Sequence, residues 1–175
     1  MKRDYIEFQE RSVAKGYLIT FRCYGTWLHG DDRGSVDRRF YNQVGRPGIS
    51  PDPEMVHRKR KLLKGRPFHL NAFARMVVDD AIREVCTSRD YGLYALNVRT
   101  NHAHVVVSNS DLPEKMMDSF KAYSTKALRR AGLISSAVKP WSRHGSTRYL
   151  WTDEHISKAV EYVANGQGDE LPVFD

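Results

Sequence analysis

The sequence predicts an α+β fold in which helices pack on one face of an antiparallel, ferredoxin-like sheet. Three observations carry that prediction. The elements run strand, helix, strand, strand, helix; the first strand keeps its apolar residues on one side; and a short polar connection joins two later strands into a hairpin. In the first strand, Tyr17 to Tyr24, side chains alternate faces. Tyr17, Ile19, Phe21 and Cys23 form an apolar face, and Leu18, Thr20, Arg22 and Tyr24 a mixed one.

Residues 30–66 then lose all periodicity and fill with charges, glycines and prolines, which predicts a long basic loop. Within it, residues 53–64 can form a short helix with Pro53 in its first turn, and this stretch carries the dense basic run from Arg58 to Lys61. Asn71 to Cys86 has helical spacing, with Phe73, Met76, Val77, Ala81, Ile82 and Val85 on one stripe. A strand over Tyr91 to Val98, the connection Arg99-Thr100-Asn101 and the strand His102-Ala103-His104-Val105-Val106-Val107 make the hairpin. Asp111 is expected to cap a helix running through Phe120, Tyr123 and Leu128 to a stop at Gly132. Residues 139–151 interleave bases and aromatics, with a further strand expected near Tyr149. Thr152 then caps a last helix that places Ile156, Val160 and Val163 on one side.

A chain of 175 residues is long enough for one domain over residues 1–175. Its 28 Lys and Arg against 21 Asp and Glu give a net charge of +7, which suits a polyanionic partner such as nucleic acid. Cys23 and Cys86 lie far apart with no Cys-x-x-Cys spacing, which argues against a thiolate zinc site and fits a reducing cytoplasm. The first residues form no apolar signal core and no uncharged run reaches the length of a membrane span, so no membrane partner is expected.

The histidine strand holds the most informative chemistry. His102 and His104 project together from one face while Ala103, Val105 and Val107 project from the other. With helices on the valine side, the histidines belong to the open face, either as a polar edge or as a metal site. Two imidazoles alone bind a divalent ion weakly, so a third ligand and substrate oxygens are required. His29 and Asp31, in the loop after the first strand, are candidates for the third ligand. A nucleophile is offered by Tyr123, flanked by Lys121 and Lys126, although its helical period equally suits a core tyrosine with its hydroxyl at the boundary. Arg22, Lys121, Lys126, Arg143 and Arg148 are the candidate DNA-binding residues, with Arg143 and Arg148 set among Trp141 and Tyr149.

A His-hydrophobic-His strand followed one helix later by a tyrosine on a Lys-bearing helix resembles the HUH single-tyrosine transposases, in the branch that includes REP-associated tyrosine transposases and their domesticated relatives. The resemblance runs from the Tyr17-Leu18-Ile19-Thr20-Phe21-Arg22 strand, through the histidine motif and the tyrosine helix, to Tyr149-Leu150-Trp151 and Ala159-Val160-Glu161-Tyr162-Val163. It implies the HUH fold and a divalent ion, Mg²⁺ or Mn²⁺, held by His102 and His104. Tyr123 would attack a phosphate of single-stranded or hairpin DNA, giving a 5′-phosphotyrosine and a free 3′-hydroxyl. Tyr149 and Tyr162 are the next candidates for the nucleophile. Members work as monomers or as dimers that exchange tyrosine helices, so a homodimer is among the implied arrangements. One departure stands out: family members carry a polar ligand, often Gln, one turn after the tyrosine, and here that position is Ala127. This keeps open a hairpin-binding protein that has lost cleavage, and a phosphodiesterase in which water attacks.

Overall fold

The computed structural model describes residues 14–33, 49–108 and 110–166; residues 34–48 of the expected long loop lie outside the described residues. The elements in chain order are β1 (Gly16–Cys23), α1 (Pro53–Lys61), α2 (Ala72–Ser88), β2 (Gly92–Val98), β3 (His102–Ser108), α3 (Pro113–Arg130), β4 (Trp141–Leu150) and α4 (Asp153–Asn165). The strands form one sheet in the order β2-β3-β1-β4, and every neighbouring pair is antiparallel. The α+β class with a ferredoxin-like strand order therefore stands.

Local chemistry sets the helix ends. The Asp52 side chain accepts from the Met55 amide with Pro53 following it, the Asn71 side chain accepts from the Ala74 amide, and the Thr152 hydroxyl accepts from the His155 amide. Asp111 does not cap α3. The N-cap is Leu112, and Asp111 instead accepts from the Tyr91 hydroxyl at 2.9 Å and from Lys115 at 2.9 Å. Beyond α3 the chain turns at Gly132, whose φ of +70° is the left-handed conformation that ends helices.

The two faces of the sheet carry separate apolar clusters. On one, Ile19, Phe21, Ala103, Val105 and Val107 pack against Ala74, Val78, Ile82 and Val85 of α2 and Met116, Phe120 and Leu128 of α3. Phe21 also meets Trp141 edge to face at 5.0 Å, and the Trp141 indole N–H donates to the Lys121 carbonyl. Phe73 and Met76 do not join this core, being 55% and 63% exposed. The buried stripe of α2 is centred on Ala74 and Val78, whose small size lets the helix lie close to the sheet.

On the other face, Leu18, Val106 and Leu150 pack against Ala159 and Val163 of α4, with Ile156 and Val160 alongside. Helices are therefore not confined to one face: α4 covers part of the face expected to be open. The consecutive Val105-Val106-Val107 run has its explanation here, since a strand covered on both sides is apolar at every position.

Both cysteines are buried free thiols, and burial pushes Cys23 up to about 12 and Cys86 up to about 11. Neither is expected to react with a disulfide reagent in the folded protein at mildly alkaline pH, and both should react in denaturant. A rapidly reacting thiol in the native state would contradict this packing.

Candidate functional site

The site lies on the α4 side of the sheet. In the β1–β3 register Thr20 stands opposite His104 and Arg22 opposite His102, and opposite residues of an antiparallel pair share a face. The two imidazoles meet with ring centroids 4.6 Å apart. Each is anchored at Nδ1: His102 donates to Asn101 Oδ1 at 2.7 Å, and His104 Nδ1 is hydrogen-bonded to Thr20 Oγ1 at 2.7 Å. Anchoring one ring nitrogen in this way leaves Nε2 as the ligating atom of each ring.

His104 is 6% exposed, not open to solvent as expected, because Tyr162 of α4 lies across it with ring centroids 5.5 Å apart. Burial, with smaller contributions from His102, Arg22 and Arg99, holds its imidazole down at about 3 and hence neutral, the form that binds metals. The Tyr162 segment is tied to the sheet by Asn97, which stands opposite His104 on β2 and donates through Nδ2 to the Val163 carbonyl at 2.9 Å.

Arg22 completes the cluster. Its guanidinium lies 3.6 Å from the centroid of the Trp27 ring, and that of Arg33 lies 4.2 Å from the same centroid. Burial, then the neighbouring Arg33 charge, lowers Arg22 to about 10, so it remains a cation at neutral pH.

Tyr123 is not brought to the histidines. It sits on α3, which packs on the opposite face of the sheet, and its half-exposed ring lies 5.9 Å from the Arg89 guanidinium carbon. Arg89 interacts electrostatically with both Tyr91 and Tyr123, and the Tyr91 hydroxyl donates to Asp111, so Tyr123 lies on the surface beside Arg89, Tyr91 and Asp111. Asp31 is clamped by Arg33, Oδ1 to Nε and Oδ2 to Nη2 both at 2.6 Å, and this pairing pulls its carboxyl down to about 2. The His29 Nδ1 is buried with no hydrogen-bond partner among the described residues. No three His, Cys, Asp or Glu side chains come together as a metal site among the described residues, so neither His29 nor Asp31 joins the histidine pair.

The candidate DNA contacts also separate. Arg148 stands opposite Leu18, so it shares the histidine face with Arg22 and is exposed, as is Arg143 on the same strand. Lys126 is exposed on α3, on the far side of the sheet. Lys121 points inward, donating to the Ser142 and His144 carbonyls at 3.0 and 3.1 Å. It ties the start of β4 to α3 and is no free surface charge. Lys121→Ala should therefore destabilise the fold by about 2–4 kcal/mol in urea unfolding while leaving the DNA affinity of folded protein unchanged. Weaker DNA binding at full stability would reverse that assignment.

A cavity of about 460 Å³ is lined by Gly30, Asp31, Asp32, Pro53, His57 and Arg60 among others, with neither site histidine in its wall.

Among solved structures, the chain resembles a REP-associated tyrosine transposase bound to a REP hairpin, with a TM-score of 0.51 over 89% of this chain and 68% of that one. The fold is shared with that transposase. At 12% sequence identity the relationship is distant and extends to the fold alone. The sequence matches no family model and no curated protein. Among the described residues no helix is long and apolar enough to cross a membrane.

Sequence reasoning ranked Tyr162 behind Tyr123, and it singled out neither Asn97 nor Trp27. The signal for Tyr162 was present. The Ile156, Val160 and Val163 stripe needs an apolar surface, and once α2 and α3 occupy one face only the histidine face remains to receive it.

Proposed function

We propose that the protein cleaves and rejoins single-stranded or hairpin DNA by transesterification, with Tyr162 as nucleophile. The observation that carries this reading is the convergence of His102, His104, Arg22 and Tyr162 on one sheet face, in a fold shared with a hairpin-bound tyrosine transposase. The net charge of +7 supports a polyanionic partner.

In this reading the phenolic oxygen of Tyr162 attacks the scissile phosphorus, the P–O3′ bond breaks, and the leaving oxygen takes up a proton. The products are a 5′-phosphotyrosine and a free 3′-hydroxyl, and attack by another 3′-hydroxyl rejoins the strands. The side chains fit a divalent cation in part: His102 and His104 would hold Mg²⁺ or Mn²⁺ through Nε2, with oxygens of DNA and water filling the remaining positions. When bound, such an ion supplies Lewis-acid polarisation of the phosphate. The imidazoles are held for this task by Thr20 and Asn101. Asn97 holds the carbonyl after Tyr162, which keeps α4 and its phenol against His104.

The test is incubation with Mn²⁺ and labelled hairpin or single-stranded DNA, followed by a denaturing gel. A labelled band at the mass of protein plus the fragment on the 3′ side of the cut, whose 5′-phosphate the tyrosine holds, is expected from 3′-labelled hairpins and single strands in preference to plain duplex. Tight hairpin binding with no covalent band for any substrate would leave the binding-only alternative standing, and cleavage without a covalent band would point to attack by water.

A further inference from the structure

Arg22 is a partly buried cation that the fold positions without a directly paired carboxylate among the described residues. Among the described residues it makes no ion pair or hydrogen bond to a carboxylate; the nearby Asp31 is engaged by Arg33 instead. Asp31 still offers it a favourable charge without direct contact, but a partly buried guanidinium with no directly paired carboxylate is costly, and such a group suits a place where an anion arrives from outside. Its orientation is also fixed. The Trp27 ring packs 3.6 Å from the guanidinium carbon, and Arg33, hydrogen-bonded to the Thr26 carbonyl and ion-paired with Asp31, packs on the same indole. The fork is therefore held while its N–H edge remains suited to two oxygens of one phosphate. Arg22 stands opposite His102 in the sheet and interacts electrostatically with both His104 and Tyr162.

We propose that Arg22 binds the non-bridging oxygens of the scissile phosphodiester and stabilises the charge that builds on them as Tyr162 attacks, with Trp27 as the residue that positions its guanidinium. This inference rests on the proposed strand-transfer function. Arg22 thereby acts as a catalytic residue through a preorganised charge, whereas Arg148 and Arg143, exposed on β4, serve only to hold the strand.

Two measurements test it, one without any chemistry. In the first, wild-type protein and Arg22→Gln are titrated with inorganic phosphate while the indole N–H resonances are followed by NMR. The Trp27 resonance should shift in a saturable manner in the wild type and not in the variant, with the Trp141 resonance unmoved in both as a check on folding. The absence of a saturable Trp27 shift in the wild type would overturn the phosphate site whether or not the protein cleaves DNA.

The second measurement uses Arg22→Ala with matched substrates carrying either the normal phosphodiester or a methylphosphonate at the cleaved position, where a methyl group replaces the charged oxygen. Adduct formation on the phosphodiester should fall about 10²- to 10³-fold. The methylphosphonate should restore much of it, because the charge Arg22 would have met is absent. Tyr162→Phe should show no such rescue. Wild-type rates for Arg22→Ala, or equal losses on both substrates, would refute the catalytic role and leave Arg22 a structural partner of Trp27. A wild-type protein that forms no adduct while Trp27 still reports phosphate binding would refute strand transfer, and with it the catalytic role of Arg22, but retain the anion site.

Discussion

Tyr162→Phe is expected to abolish the covalent DNA adduct, and Tyr123→Phe to leave it within about twofold of wild type. The attacking oxygen has no substitute, so losing the true nucleophile should reduce adduct formation by at least about 10³-fold. Both changes remove a single oxygen and keep the ring, so stability should move by no more than about 1 kcal/mol in either variant. The two tyrosines are distinguished by the sheet between them. Tyr162 lies across His104 on one face, while Tyr123 is tied to Arg89 on a helix packed against the other. Denaturing-gel trapping with both variants, alongside hairpin affinity to show intact binding, provides the check. Loss of the adduct in Tyr123→Phe alone would require the tyrosine to reach a site other than its own histidine pair, as in an exchange of helices between two copies.

Replacing a site histidine should have the second largest effect. His102→Ala is expected to lower adduct formation by about 10³-fold or more, with a chelator producing the same loss in the wild type. His104→Ala should lose as much activity but also unfold more easily, by about 1–2 kcal/mol, since His104 is buried between Thr20 and Tyr162. His102, only partly buried, is the cleaner variant for this reason. Activity measured across Mn²⁺ concentrations, with urea unfolding of each variant, separates the two effects. Unchanged cleavage in both variants would remove the histidines from the mechanism.

Much of the fold was legible because alternation along a strand is a local property. The faces of β1, the hairpin around Arg99-Thr100-Asn101 and the pairing of His102 with His104 on one side all follow from residue order. What stayed hidden depends on distant partners. Asp111 has the chemistry of a cap, yet the Tyr91 hydroxyl and Lys115 engage it from elsewhere. Lys121 reads as a surface charge until β4 presents two carbonyls to it. Phe73 and Met76 fit a helical stripe, but the sheet meets α2 on the side of Ala74 and Val78.

The proposed nucleophile was obscured for the same reason. Tyr123 follows the histidine strand by one helix and carries lysines on either side, so proximity in sequence favoured it over Tyr162. The sheet order sends the helix after β4 back over the histidine face; the Ile156, Val160 and Val163 stripe calls for an apolar surface there, but nothing at Tyr162 itself marks its place beside the histidines. The Val105-Val106-Val107 run was the readable hint, because a strand with one solvent-exposed face would not be apolar at Val106.

In the proposed reaction, one face of the sheet brings Tyr162 to the histidine pair for attack on DNA. Its most direct measurement is mass spectrometry of the trapped protein–DNA adduct after nuclease and protease digestion. A nucleotide-bearing peptide is expected, with fragment ions that place the phosphodiester on Tyr162. A nucleotide found on Tyr123 would contradict it.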